Sequence, residues 1–316
     1  MKHINKKTIS FIVLALAIIF TFVFLRGHFS DLKVLTRISL WGASVLGILI
    51  IITTVLNGLR IKYTLEPLHI NLPAKEWLSI SVTNSFWNYL PFQGGLISRG
   101  IYLKQKYQLN YIDFISITAA TYLITFLSLS LSGIILAMLA LKNVETAIWP
   151  VILYSLLAIF SLLILLFTRN GVLHKFIRLK KVLEIEAGLK LVLTNSKLVW
   201  SLIILDLLFI ISYAVRLYLA AYFLGYNINI LYFFAIAPIG ILAIYTAITP
   251  GGLIIREALI GLLASALLVN VSEVVIASIL DRAVLIIIIF SLGLICNYYL
   301  THKAFSKKFN INQSES

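Results

Sequence analysis

The 316-residue sequence predicts an all-α polytopic membrane protein made of two inverted-topology halves. Three observations carry this reading. Apolar residues make up 61% of the chain and charged ones only 12%, whereas a soluble globular domain has about a quarter of its residues charged. Several stretches of 17 residues or more hold few or no charges, enough to cross roughly 30 Å of hydrocarbon. Finally, a hexapeptide is written twice. Gly94-Gly95-Leu96-Ile97-Ser98-Arg99 returns 157 residues later as Gly251-Gly252-Leu253-Ile254-Ile255-Arg256, so each copy takes the same place in its half.

The first half covers residues 1–146. A short basic region (Lys2, Lys6, Lys7) leads into an apolar run over 9–25. The sequence after it, Arg26-Gly27-His28-Phe29-Ser30, has no small-x-small cleavage pattern, so the run reads as an uncleaved first span. A second span covers about 38–59. Residues 78–92 are apolar but carry Ser81, Thr83, Asn84, Ser85 and Asn88, and reach Pro91; a short piece at 96–109 follows. A long span then covers 111–141. The second half, 147–316, repeats the order with spans at 147–168 and 198–224, a segment at 230–248, a limb at 253–269 and a last span at 273–300. Pro91, Gly94 and Gly95 interrupt one half, and Pro250, Gly251 and Gly252 interrupt the other at the corresponding position. Each half therefore reads as about three full spans and one broken or re-entrant helix pair.

Charge placement gives the orientation. If each interrupted pair enters and leaves on one side, one set of loops (1–8, 60–77, 93–110, 169–197, 301–316) holds 19 of the 26 Lys and Arg residues. The opposite set holds four, which places both termini in the cytoplasm of a cell-membrane protein. The same placement explains the net charge of +14 by loops and lipid head groups, and argues against nucleic acid as a partner. Within 169–197, Val172, Phe176, Leu179 and Leu183 recur at helical spacing among basic residues, predicting an amphipathic linker helix lying on the membrane surface.

The residues with chemistry cluster at the interruptions. Breaking a helix frees backbone amides, and the N-terminus of the following limb presents them at a positive dipole end suited to an anion. Arg99 and Arg256, just after the breaks, would add planar phosphate donors. Asp206, Arg216, Glu257, Asp281 and Arg282 also lie in apolar segments, where charge is costly and normally faces the protein interior or a watery cavity. Asp206 and Arg216 are expected to form an intramembrane ion pair. Glu257, Asp281 and Arg282 are expected to serve a binding site with Arg99, Arg256 and the four glycines. The single cysteine, Cys296, allows no internal disulfide, and the five scattered histidines suggest neither metal nor cofactor.

The run from Asn84 through Phe86, Trp87, Asn88, Pro91 and Gln93 to Gly94, Gly95 and Arg99, with Pro250 to Arg256-Glu257, resembles the transmembrane region of lysylphosphatidylglycerol synthases and its flippase-like relatives. Asp281-Arg282, followed by Gly293, is similar to a third, weaker signature of that family. The resemblance spans essentially the whole chain and corresponds to the stand-alone form, without the soluble aminoacyltransferase domain. It implies movement of lipid between leaflets rather than enzymatic activity. Leu96, Gln93 and Ile254 stand where the family commonly has an acidic residue, a basic residue and a glycine, departures that bear on the head group more than on the fold.

The expected function is a lipid translocase or lipid-binding transporter for an anionic or phosphate-linked lipid, such as an anionic phospholipid or a polyprenyl-phosphate-linked lipid. It would work by alternating access around a midplane site. The alternative is a non-transporting subunit that presents a lipid to a separate glycosyltransferase or aminoacyltransferase.

Overall fold

The structure, a computed structural model, describes residues 33–89, 93–140, 148–169, 180–245 and 254–312, with Ala15 and Ile19 isolated before them. The expected first span at 9–25 lies outside the described residues. So do Pro91, Pro250, Gly251 and Gly252.

Among the described residues the chain forms ten α-helices and no strand. These are α1 (Leu40–Leu65), α2 (Ala74–Trp87), α3 (Gly94–Tyr107), α4 (Tyr111–Ala140), α5 (Ile148–Arg169), α6 (Lys180–Leu193), α7 (Ser196–Phe223), α8 (Ile230–Tyr245), α9 (Ile255–Ala266) and α10 (Val271–Asn312). Five elements are long and apolar enough to cross a membrane: Leu40–Leu68, Tyr111–Ala140, Ile148–Phe167, Ser196–Phe223 and Val271–Ala304. They coincide with five of the spans read from apolar length. This is an all-α polytopic integral membrane protein.

The remaining helices explain the interruptions. α2 and α3 have 14 residues each, α8 has 16 and α9 has 12. At 1.5 Å per residue these limbs reach about 18–24 Å, short of the roughly 30 Å hydrocarbon core. α2 packs on α3, and α8 on α9, as two paired sets of short limbs. The order α1, α2–α3, α4 thus recurs as α7, α8–α9, α10.

Close packing follows from small residues. α4 buries Ser116, Thr118, Ala120, Thr121, Thr125, Ser128, Ser130, Gly133 and Ala137 toward its neighbours. Its Ser and Thr hydroxyls donate to carbonyls one turn back, as Ser116 does to Ile112 and Ser128 to Ile124, so they enter the interface already satisfied. A Cβ at Gly133 would stand 2.6 Å from the Tyr154 ring of α5, so glycine admits that ring. At the first break, a Cβ at Gly95 would stand 2.0 Å from the Asn84 carbonyl oxygen, so glycine lets α3 lie directly on α2. On the outside, α5 presents Leu156, Ile159, Phe160 and Leu163, an apolar face suited to lipid.

The linker departs from its expected place. Its described portion, α6, packs on α4, with Leu189 and Val192 buried and Gly188 against Ser116. The apolar stripe that suggested a membrane-surface helix is covered here by protein. The N-terminal part of the amphipathic pattern, with Val172, Phe176 and Leu179, lies outside the described residues.

Candidate functional site

A cavity of about 150 Å³ opens between α1, the two sets of short limbs, α4, α7 and α10. By volume it has room for about ten waters, or for a small polar head group. Four arginines line it: Arg60, Arg99, Arg216 and Arg256. Asn57, Asn84, Asn88 and Gln93 add amides, and Tyr89, Tyr122, Tyr213 and Tyr245 add phenols. Among the described residues no carboxylate reaches the lining. The carboxylates stand behind the arginines, in two clusters.

The first cluster joins α1, α3, α4 and α7. Arg60 of α1 donates to Tyr245 Oη and Thr125 Oγ1, and its Nη1 lies 3.4 Å from Asp206 Oδ1. Its guanidinium also stacks on the Tyr245 ring at 4.9 Å. Arg99 of α3 has far less. It donates to Thr118 Oγ1 at 3.3 Å and stacks over Phe114 at 5.2 Å. No described carboxylate lies within ion-pair reach of it, and its buried Nε lacks a hydrogen-bond partner.

In the second cluster, on α7, α9 and α10, every arginine is matched with acid. Asp281 receives Arg216 in a fork, Nε to Oδ1 and Nη2 to Oδ2, both at 2.8 Å, and Arg216 Nη1 donates to Thr53 Oγ1 at 2.9 Å. Arg256 Nη2 donates to the carbonyl and hydroxyl oxygens of Ser278, both at 3.0 Å, and lies 3.5 Å from Asp281. Glu257 sits 3.6 Å from Arg256 and 2.9 Å from Arg282.

These geometries revise several expectations. Asp206 and Arg216 do not pair with each other: ten residues apart on one helix, they face different levels, and Asp206 meets Arg60 while Arg216 meets Asp281. Arg99, Arg256, Glu257, Asp281 and Arg282 are brought near one cavity, but only Arg99 and Arg256 line it. The first break does not present a bare cradle of amides. The Gly95 amide donates to Asn88 Oδ1 at 3.1 Å, and the amides of Leu96 and Ile97 donate to the Gln93 carbonyl. Gly94 and Gly95 therefore set helix spacing. The two copies of the hexapeptide also sit differently, since Gly94–Arg99 lie wholly in α3, whereas α9 begins only at Ile255. Each limb is entered through a non-glycine residue at positive φ, Gln93 at 54° and Ile254 at 71°, the second a strained position for a β-branched side chain.

Arg60 is the residue that sequence reasoning missed. Counted among loop cations, it is in fact buried at 7% exposure. A signal for it existed: Arg60 and Arg99 are 39 residues apart, and Arg216 and Arg256 are 40 apart, so the repeat contains two arginines per half. Tyr89 and Tyr245 fall in the same register, 156 residues apart, and both line the cavity. Gln93 Nε2 donates to the Tyr245 carbonyl at 2.9 Å, so the first break touches the end of α8 directly.

A separate charge cluster sits at the base of the first pair of limbs. Buried Glu76 of α2 accepts from Tyr102 and Lys106 of α3, from Tyr107 at 3.0 Å, and pairs with Lys303 of α10 at 3.1 Å. Among the described residues no group of His, Cys, Asp and Glu is arranged to hold a metal.

Residues 8–293 match the sequence model of the lysylphosphatidylglycerol synthase TM region. The chain belongs to that family. The match covers most of the chain, and no aminoacyltransferase domain is matched within it. No curated protein and no solved structure matches the chain. Membership makes this a membrane protein involved in lipid handling.

Proposed function

We propose that this protein binds the head group of an anionic or phosphate-linked lipid in the arginine-lined cavity and carries it across the membrane. One observation carries the reading: Arg99 faces the cavity with no carboxylate partner among the described residues. An unpaired guanidinium in a largely desolvated place is costly, and proteins retain such charges where a ligand supplies the counter-charge. A phosphate suits it, since the planar fork of arginine donates to two phosphate oxygens at once.

The surrounding architecture supports movement. The recurring element order, with two interrupted helix pairs meeting at one cavity, suits two inverted halves that rock about a central site. The positive-inside count supports cytoplasmic termini in a cell membrane. Arg60 crosses from α1 to Asp206 of α7 and Tyr245 of α8, and Arg216 crosses back to Thr53 of α1, so the two halves grip each other through groups around the cavity. In this reading the protein works as a carrier, without covalent chemistry.

The test is lipid movement by the purified protein in liposomes, using head-group-labelled lipids and a membrane-impermeant quencher. Wild type should equilibrate an anionic phosphate lipid between leaflets, and Arg99→Ala should slow this at least about tenfold, the equivalent of roughly 1.4 kcal/mol of lost binding. Lipid that co-purifies and binds without moving would refute carriage. It would favour a subunit that presents lipid to a separate enzyme.

A further inference from the structure

The charge balance of the buried cluster narrows the ligand further. Among the described residues five arginines take part: Arg60, Arg99, Arg216, Arg256 and Arg282. Three carboxylates oppose them: Asp206, Glu257 and Asp281. Each carboxylate is already engaged by at least one arginine, and two positive charges remain over. Arginine does not shed its proton at any physiological pH, so the surplus cannot be removed by titration. It must be met by something that enters the cavity.

We infer that the cavity selects a head group by net charge: it takes a lipid ending in a phosphate monoester in preference to a phosphodiester, and rejects head groups that bring an ammonium. A monoester carries about 1.5 to 2 negative charges near neutral pH, against one for a diester, and so matches the surplus. An ammonium finds no acceptor of its own. No described carboxylate lines the cavity, and both Asp281 oxygens are held in the fork from Arg216. The lysyl ester head group that gives this family its name carries two ammonium groups against one phosphate, a net positive charge. In a low-dielectric site it would face four guanidiniums with nothing to offset them. The amides of Asn57, Asn84, Asn88 and Gln93 can donate to additional phosphate oxygens, and none of them contributes a negative charge. The ligand class assigned to this chain is therefore opposite in charge to the family's namesake lipid.

This inference rests on the reading of the cavity as a lipid head-group site, and its test uses binding so that it does not depend on transport. Protein in nanodiscs of phosphatidylcholine would be titrated with phosphatidic acid, a polyprenyl phosphate, phosphatidylglycerol and lysyl-phosphatidylglycerol. The two monoesters should bind at least about tenfold more tightly than phosphatidylglycerol, and the lysylated lipid should not compete. A difference between phosphatidic acid and polyprenyl phosphate then tells which tail the protein accepts. Arg99→Gln removes one of the two surplus charges, so its preference for monoester over diester should shrink to within about threefold while diester binding persists. That ratio is a readout that mere loss of folded protein does not produce. Lysyl-phosphatidylglycerol binding as tightly as phosphatidic acid would overturn the inference, as would a monoester preference unchanged in Arg99→Gln. Binding with this selectivity but no movement in liposomes would sink the carrier reading and leave the charge rule standing.

Discussion

Arg99 and Arg256 occupy the same place in the two copies of one hexapeptide, yet the protein treats them in opposite ways. Arg256 is 3% exposed and surrounded: Ser278 accepts from it twice, and Asp281 and Glu257 stand within 3.6 Å. Arg99 has a threonine hydroxyl and the face of Phe114. The same residue type at matched positions therefore does two jobs. Arg256 belongs to a buried ionic network that ties α7, α9 and α10 together. Arg99 remains available to an incoming anion. Duplication supplies two equivalent positions, and the acids added around one of them make the pair unequal.

Four substitutions put this contrast between the two arginines at risk. The largest effect is expected for Asp281→Asn, which leaves the fork of Arg216 without its carboxylate. Breaking a buried ion pair from one side costs about 3–5 kcal/mol, so the variant should melt far below wild type in detergent, or fail to accumulate. Next comes Gly95→Ala. Its methyl group would collide with the Asn84 carbonyl, and prising α3 from α2 should cost about 1–3 kcal/mol, read in the same melting experiment. Arg256→Gln should fall slightly lower, at about 1–2 kcal/mol, because Glu257 keeps Arg282 and Asp281 keeps Arg216. Arg99→Gln should change the melting point least, by less than about 0.5 kcal/mol, while weakening anionic-lipid binding most. If Arg99→Gln instead destabilised the protein as much as Arg256→Gln, the two arginines would be alike and the contrast would be lost.

The spans were legible because the bilayer imposes a simple rule, a long apolar helix with charged ends, and five of the expected spans fall within a few residues of observed helices. The interruptions were legible too, since Pro and Gly at matched positions in two apolar halves mark places where a helix cannot run on. The pairing of charges was not legible. Asp206 and Arg216 looked like partners because both lie in one apolar segment, but ten residues of helix carry them about 15 Å apart along the axis. Each then finds its partner on a different helix, Arg60 of α1 or Asp281 of α10. Arg60 was misplaced for a similar reason. It lies near the end of a span, where cations usually meet head groups, and only the tertiary arrangement turns it inward to Tyr245 and Thr125. The amides of the first break were expected to be free, and a side chain seven residues upstream, Asn88, occupies the Gly95 amide instead.

The longest helix, α10, is continuous from Val271 to Asn312 and contains no proline. Near one end, Asp281 and Arg282 hold Arg216, Arg256 and Glu257; near the other, Lys303 grips Glu76 at the foot of α2. The 22 residues between Asp281 and Lys303 are about 33 Å of stiff helix, close to the thickness of the hydrocarbon core. The helix thus serves as a ruler laid across the bilayer. It fixes the distance between the foot of one pair of limbs and the ionic knot of the other by counting turns. Bilayer thickness thereby becomes a mechanical input to the cavity, because lipid that presses the two membrane faces together or lets them part must tilt this one rod.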